Sequence, residues 1–533
     1  MDSINQPFTW RIKMFEKFNF KELFVLDMAN NHQGSLEHGV NIIEQHSHVI
    51  EKFGVRVGIK FQFRNLPEFV HPDDQLDTKN KHVPRFLATK LEWEDYAKLI
   101  AKVHDKNLLA ICTPFDEYSV DKIVELGFDV IKIASCSAKD WPLIEKVAET
   151  GLPIIASTGG LPLKDVDKLV SFLHHRGCDF SLMHCVSVYP TPSDLCNLST
   201  ISEFRARYNG ITIGWSTHED QDAVLPIAIA KSLGAEMFER HIGKATSDIS
   251  LNAYSSTPLQ TEKWIAAYSE TLHILGLPDR SNITLIEEEA LNSLKRGVFA
   301  KTDFEEGVHV TDDDVYFAFP YREGQISSGE FKPGITTKGF KRNETLTRAN
   351  YKPDEDGDQA SIDVIKHAIH SVKALLSKAN VSLNHNFSTE YSHHYGVERF
   401  FEVGTTLITV VNREYAKKIL VQLPGQSHPL HMHKLKEETF LVISGFLDIE
   451  LDGTSYTLHS GEQITVMPGV WHQFKSENGC VFEEISTTAY VADSYYRDKK
   501  ITQLTSKQRK TKVDHWGRFV IDKQLRGSSL NDS

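Results

Sequence analysis

Eight short apolar runs recur between residues 22 and 280, and they constrain the fold more than any other feature of the chain. They are FVLDM (24–28), GIKFQF (58–63), LLAICT (108–113), DVIKIA (129–134), PIIAS (153–157), FSLMHCV (180–186), ITIGWS (211–216) and EMFERH (236–241). Amphipathic stretches such as SVDKIVELG (119–127) and AVLPIAIAKSLG (223–234) lie between them. Short buried strands joined by helix-length connections predict a closed (β/α)8 TIM barrel, an α/β fold. A doubly wound open sheet is the competing fold. It more often opens on a glycine-rich first turn, and this chain has none.

The pattern changes after Leu291. NSLKRGVFAKTDFEEGVHVTDDDVYFAFP alternates short β-type pieces with turns and predicts a small β-rich domain ending near Thr347. YKPDEDGDQ (351–359) reads as a linker and IDVIKHAIHSVKALLSKA (362–379) as a helix. From about 396 to 490 strands and turns return, as an all-β unit. With 533 residues the chain is too long for one core. The expected division is 1–285, 291–348, a linker and helix over 349–378, 379–500, and a tail over 501–533.

A net charge of −13 argues against general nucleic-acid or anionic-membrane binding. The six cysteines form no CxxC pair, so buried, reduced thiols and a cytoplasmic setting are expected. The first twenty residues lack the apolar core of a signal peptide, and no run has the length of a spanning helix.

Catalytic groups of such a barrel gather where the strands end. Asp27 follows the first run, and Lys60 and Gln62 sit on the second. Thr113 and Phe115 end the third, Lys132 and Ser135 the fourth, and Ser157 the fifth. Ser187 and Tyr189 follow the sixth, Ser216 and His218 the seventh, and Arg240 and His241 the eighth. Inward-facing lysines need anionic partners, which can be carboxylates in a plain salt bridge or a bound phosphate and carboxylate. The serines nearby suit such anionic oxygens. Two imidazoles on neighbouring strand ends can hold a divalent metal, although a lone histidine is more often structural.

FVLDMANNHQGS, GIKFQF, CTPFDEYSVD, VIKIASCSAKDWPLI, IIASTGG, HCVSVYPTP, IGWSTHE and FERHIG together resemble the sialic acid (N-acetylneuraminate) synthase family, in family order. KRGVFAKTDFEEGVHVTDDDV (295–315) resembles that family's antifreeze-like (SAF) domain. The resemblance implies a phosphoenolpyruvate-dependent synthase of a sialic-acid-like sugar acid, acting on a sugar aldehyde as a homodimer with exchanged antifreeze-like domains. It implies that Lys60, Lys132, Thr113, Ser135, Ser157 and Ser216 bind phosphoenolpyruvate, and that His218 and His241 hold Mn or Mg. Gln62, Phe115 and Tyr189 would face the sugar. Asp27 would orient or deprotonate water from the place of a usual Glu. Departures cluster at the sugar end: Ser137 for a Glu, Ser187 for an Asn, Asn252 near a sugar-binding Asp, and Phe319 for an Arg, with Arg322 nearby. They imply the same reaction on a different acceptor.

GQSHPLHMHKLKEETFLVISG (425–445) and GEQITVMPGVWH (461–472) resemble the two cupin motifs. His431, His433, Glu438 and His472 are the expected ligands of a second metal, Mn, Fe, Ni or Zn. Strand alternation points both imidazoles of His-x-His the same way. The first motif is also similar to that of lyxose-isomerase-type sugar cupins. The unit could be an isomerase or epimerase with Glu437 or Lys434 near the metal, a sugar-binding module, or a metal-stapled dimerisation domain. A non-catalytic sugar-binding protein with a retired barrel, or a synthase of a shorter keto-sugar acid, are the alternatives for the whole chain.

Overall fold

The computed structural model describes residues 17–75, 80, 82–276, 283–354, 357–383, 387–490, 492–514 and 516. The N-terminal segment read above and most of the 501–533 tail lie outside them. The chain divides into two compact units, Met1–Asn282 and Ile283–Ser533. Among the described residues no helix is long and apolar enough to cross a membrane.

The first unit is a closed parallel barrel. Its strands are β1 (Leu23–Asp27), β2 (Arg56–Phe63), β3 (Leu109–Pro114), β4 (Val130–Ile133), β5 (Ile154–Ser157), β6 (Phe180–Cys185), β7 (Ile213–Thr217) and β8 (Met237–His241). Each matches one apolar run. Period-2 alternation splits every strand. Phe24, Leu26, Ile59, Phe61, Ile131 and Phe238 face outward and pack with helix residues such as Ile42, Leu99, Ile123 and Trp264. Leu23, Val25, Ile111, Val130, Ile155, Met183 and Met237 form a separate inner cluster with Phe20. They fill the N-terminal half of the barrel, so any cavity must open at the other end. Gly58 is required there, because a Cβ would fall 2.4 Å from Ile111 Cδ1.

The helices have local reasons to start and stop. Leu36–Phe53 is N-capped by the Ser35 side chain and ends at Gly54, whose φ of 61° is the left-handed C-cap. Pro258–Leu275 opens with a Thr257/Gln260 capping box and proline in its first turn.

The second unit begins with a β-rich region. Gly297–Ala300 pairs antiparallel with Val315–Ala318, and His309–Val310, Gly334–Thr336 and Tyr351–Pro353 form a three-stranded sheet. Val298, Val310, Val315, Phe340, Leu346 and Tyr351 make its core. The helix Gly357–Lys378 follows. Ile365, Ala368, Ile369, Val372 and Leu376 recur at helical spacing and pack with Tyr391, Phe400, Val421 and Val481 of the last region. The helix in the expected linker is therefore part of the core of the β-unit after it. That β-unit is an eleven-stranded sheet, and residues 425–445 and 461–472 within it are the two motifs read above.

Candidate active site and metal centre

The inward parity that packs apolar residues low in the barrel puts polar ones at its C-terminal end. Asp27, Lys60, Gln62, Thr113, Lys132, Ser157, Ser216 and His241 line one cavity of about 1230 Å³. Phe115, Ser135, Ser187, Tyr189, His218 and Asn252, from the loops after the strands, line it too. Of the strand-end residues singled out for the barrel site, all but Arg240 therefore meet. A volume above the usual range for one small ligand leaves room for two substrates.

The two lysines are paired with carboxylates. Lys60 Nζ lies 2.9 Å from Asp27 Oδ2 and 3.2 Å from Glu239 Oε1, and Lys132 Nζ donates to Glu239 Oε2. All four side chains are buried. Burial alone would push the Asp27 carboxyl up, but Lys60, His241 and Lys132 hold it down to about 2. Burial opposes the charge on Lys60, yet Asp27 and Glu239 reverse this and raise its pKa. At Lys132 burial prevails over Glu239 and the pKa falls. Two ammoniums and two carboxylates make a charge-neutral set whose members a stronger anion can separate.

Glu239 was not among the expected site residues, although its signal was in the sequence. In EMFERH, alternation places Glu239 on the same side as His241 and turns Arg240 the other way. Arg240 points outward: Nη2 donates to Asp220 O at 2.8 Å and its guanidinium carbon lies 5.4 Å from the Trp264 ring centroid. Its place at a strand end thus does not make it a site residue.

Hydroxyls surround the ion set. The Gly159 N–H donates to Ser135 Oγ at 2.9 Å, and a Cβ at Gly159 would fall 2.5 Å from Ser187 Oγ and 2.7 Å from Ser135 Oγ. Glycine there lets the loops after β4, β5 and β6 converge. Ser157 Oγ is buried without a hydrogen-bond partner, which suits an acceptor oxygen brought by a ligand. Cys136 is exposed and Cys178 half-buried, contrary to the expectation of uniformly buried thiols. Among the described residues all six are free. Ser137 is buried and does not line the cavity.

The His218 and His241 rings lie 5.2 Å apart, with Tyr254 packed against both. His241 Nε2 is 3.3 Å from Asp27 Oδ2. His218 Nδ1 donates to Val186 O at 3.2 Å, which fixes the tautomer and leaves Nε2 its lone pair. Burial lowers both imidazole pKa values, that of His218 to about 3. Two neutral imidazoles beside a carboxylate fit a divalent cation.

The cavity wall continues beyond Gln62 to Arg64, a residue outside the sequence expectation. Arg64 lies 3.7 Å from the Phe115 ring centroid and 4.1 Å from that of Phe86. Its Nη2 donates to Gln62 Oε1 at 3.1 Å, and Gln62 Nε2 donates to Asp27 Oδ2 at 3.2 Å. Tyr189 is 53% exposed, and its ring centroid lies 4.3 Å from that of His218 with the planes tilted by 56°.

In the second unit, His431, His433 and His472 bring one nitrogen each to within 4.8 Å of one another. His431 and His472 are register partners on the antiparallel strands Gln426–Met432 and His472–Ser476. Each Nδ1 donates to a backbone carbonyl: His431 to Pro429 at 3.0 Å, His433 to Asp493 at 2.6 Å and His472 to Val470 at 3.1 Å. In the neutral imidazoles all three Nε2 lone pairs are then free for the cluster, as metal ligation requires. Burial, and secondarily the neighbouring imidazoles, keeps His431 well below its ordinary value; burial also lowers His433. Glu438 Oε2 lies 3.2 Å from His472 Nε2 and 3.6 Å from His433 Nε2, and neither Glu438 Oε2 nor His472 Nε2 has a hydrogen-bond partner. A cation between these two buried, unpartnered atoms would satisfy both. The residues therefore fit a divalent metal.

Lys436, not Lys434 or Glu437, stands beside this cluster. It is buried against Glu438 and 3.2 Å from Glu484, whereas Lys434 and Glu437 are exposed. Asp493 accepts from the Lys434, Leu435 and Lys436 N–H groups at 3.0 Å each and shapes the loop. Nothing in its sequence surroundings announced that role.

Fold and site define a (β/α)8 enzyme-type barrel joined to a cupin. Residues 49–276 match the NeuB family, and residues 419–482 match the cupin domain. A crystal structure of a Chromobacterium violaceum protein described as spore coat polysaccharide biosynthesis protein E is 42% identical, covering 62% of this chain and 100% of that one, with a TM-score of 0.58. An uncharacterized protein of Methanocaldococcus jannaschii is 28% identical over 297 residues, 55% of this chain and 83% of its own. The N-acetylneuraminate-9-phosphate synthase of Drosophila melanogaster is 31% identical over 228 residues, 41% of this chain and 59% of its own. The chain belongs to the NeuB family of sialic-acid-type synthases and carries a cupin domain in its C-terminal half.

Proposed function

We propose that the barrel condenses phosphoenolpyruvate with the aldehyde form of an amino-hexose or related sugar. The products are a sialic-acid-like 3-deoxy-2-keto sugar acid and inorganic phosphate. The observation that carries this reading is the exchangeable ion set of Lys60, Lys132, Asp27 and Glu239, ringed by hydroxyls and paired imidazoles in one cavity.

Lys60 and Lys132, with Thr113, Ser135, Ser157 and Ser216, hold the phosphate and carboxylate oxygens. His218 and His241 would hold Mn or Mg. That cation, when bound, supplies Lewis-acid polarisation of the aldehyde oxygen. Carbon 3 of phosphoenolpyruvate bonds to the aldehyde carbon, whose oxygen takes a proton. Water then adds at carbon 2 and gives up both protons, one balancing the proton taken by the aldehyde oxygen and one leaving with the phosphate, as the keto group forms and the bond from carbon 2 to the phosphate oxygen breaks. A carboxyl held down near 2 is a weak base, so Asp27 in the resting site orients water. A substrate anion that draws Lys60 away raises its basicity. Gln62, Phe115, Ser187, Tyr189 and Asn252 face the sugar.

The region 291–348 acts as an antifreeze-like domain in a homodimer that exchanges these domains. His431, His433, Glu438 and His472 of the cupin (379–500) would hold a second cation, Mn, Fe, Ni or Zn. A phosphoenolpyruvate-dependent reaction suits a cytoplasmic setting.

The test is phosphate release from phosphoenolpyruvate with Mn²⁺ across hexosamines, N-acyl hexosamines, dideoxy-diamino sugars and neutral aldoses. Sugar-dependent release that Lys60→Ala and His218→Ala both lose is expected. Absence of release together with absence of phosphoenolpyruvate binding would sink the reading.

A further inference from the structure

We infer that Arg64 forms an anion subsite at the acceptor end of the barrel cavity, so that the sugar substrate carries a carboxylate or phosphate group. The inference rests on the synthase reading and names its acceptor class. Arg64 immediately follows β2 and lines the cavity. Its guanidinium carbon lies 3.7 Å from the Phe115 ring centroid, 4.1 Å from that of Phe86 and 5.8 Å from that of Phe69. Ring faces hold a guanidinium in plane, but they offer nothing to the N–H groups that point out of its edge.

Those N–H groups are poorly satisfied. Nη2 donates to Gln62 Oε1 at 3.1 Å, while Nε is buried with no hydrogen-bond partner. Among the described residues no carboxylate pairs with Arg64, whereas Lys60 has two carboxylate partners and Lys132 has one. Asp74 also lines the cavity, and among the described residues it makes no ion pair with Arg64. A planar cation clamped by aromatic rings, half-buried and without a counter-charge, suits bidentate recognition of an anionic group. Its place is set by a short chain of hydrogen bonds. Arg64 holds the Gln62 carbonyl, and the Gln62 amide holds Asp27 Oδ2 at 3.2 Å. The subsite is thus one amide away from the ion set, within reach of the far end of a sugar whose aldehyde sits by Asp27.

The experiment compares N-acetylmannosamine, its 6-phosphate and its 6-carboxylate as acceptors, with phosphoenolpyruvate consumption as readout. Wild type, Arg64→Met and Arg64→Lys run side by side. Wild type should favour an anionic acceptor by at least about tenfold in kcat/KM. Arg64→Met should lower that value roughly 100-fold while leaving the neutral sugar and the KM for phosphoenolpyruvate within about threefold, and Arg64→Lys should restore part of it. The better of the two charged sugars identifies carboxylate or phosphate. Preference for the neutral sugar, or equal losses on all three, would overturn the inference. If nothing is turned over, the corresponding alditols are titrated onto the same proteins. Anionic alditols that bind wild type no tighter than the neutral one, or not at all, overturn it too. Phosphoenolpyruvate that fails to bind sinks the synthase reading instead, and the alditol titration still reads Arg64.

Discussion

The barrel cavity and the cupin cluster both gather buried ionisable side chains, but they balance charge in opposite ways. In the barrel, two ammoniums face two carboxylates and the set is neutral without help. In the cupin, backbone carbonyls hold three imidazoles so that their lone pairs converge on one point beside Glu438. The first arrangement tolerates exchange, because an anionic ligand replaces one partner of each lysine with another. The second is left incomplete until a cation arrives. One site is built for turnover of anions and the other for retention of a metal.

The largest expected effect breaks the barrel half of this comparison. Lys132→Ala should abolish phosphoenolpyruvate-dependent turnover, by more than about 1000-fold, since it removes fixed positive charge from a desolvated site. It should also cost about 3–5 kcal/mol in urea unfolding, because Glu239 loses its closest partner while buried. The double variant Lys132→Met with Glu239→Leu should recover most of that stability and none of the activity. Turnover within tenfold of wild type for the single variant would show that the lysine serves only as a structural counter-charge.

How much of this could be read in the sequence follows from the same physics. The eight barrel strands were legible because each apolar run is short and bounded by a helix of matching amphipathicity. Alternation then fixed which residues point inward. Glu239 is legible in principle, two residues before His241, and strand alternation separates it from its neighbour Arg240. Arg64 was not legible, since its environment comes from Phe69, Phe86 and Phe115, which only the tertiary fold assembles. The cupin histidines were legible from the motif spacing, and the strand register pairs His431 with His472. Lys436 was not, because its neighbours Lys434 and Glu437 have the same residue types and only burial separates them. Asp493 lies 60 residues from the His433 side chain that it receives, beyond any local pattern.

The next effect sharpens the cupin half. Purified protein should carry a metal that His431→Ala with His433→Ala removes, measured by elemental analysis. A chelator should lower the thermal midpoint of wild type by several degrees and leave the double variant unmoved. The metal-free protein should also become acid-sensitive. Burial depresses His428, His431 and His433 in the folded state, so between their folded values and about 6.5 the unfolded chain binds more protons. Stability is then fully present above about pH 6.5 and falls as pH drops, by up to about 1.4 kcal/mol per unit for each imidazole. A metal content equal in wild type and variant would show that the converging lone pairs hold nothing.

The smallest effect separates the two sites at a single atom. Ser157 Oγ is buried on the cavity floor without a partner, so the resting fold gains nothing from it. Ser157→Ala should therefore leave unfolding stability unchanged or raise it by about 0.5 kcal/mol. The same change should raise the KM for phosphoenolpyruvate roughly tenfold, because the hydroxyl finds its acceptor only in the bound ligand. An effect on the acceptor KM alone would move Ser157 to the sugar end of the cavity. A loss of stability above about 1 kcal/mol would mean that the hydroxyl is already satisfied in the resting protein, and the contrast between a site waiting for an anion and a site waiting for a cation would then lose its barrel example at that position.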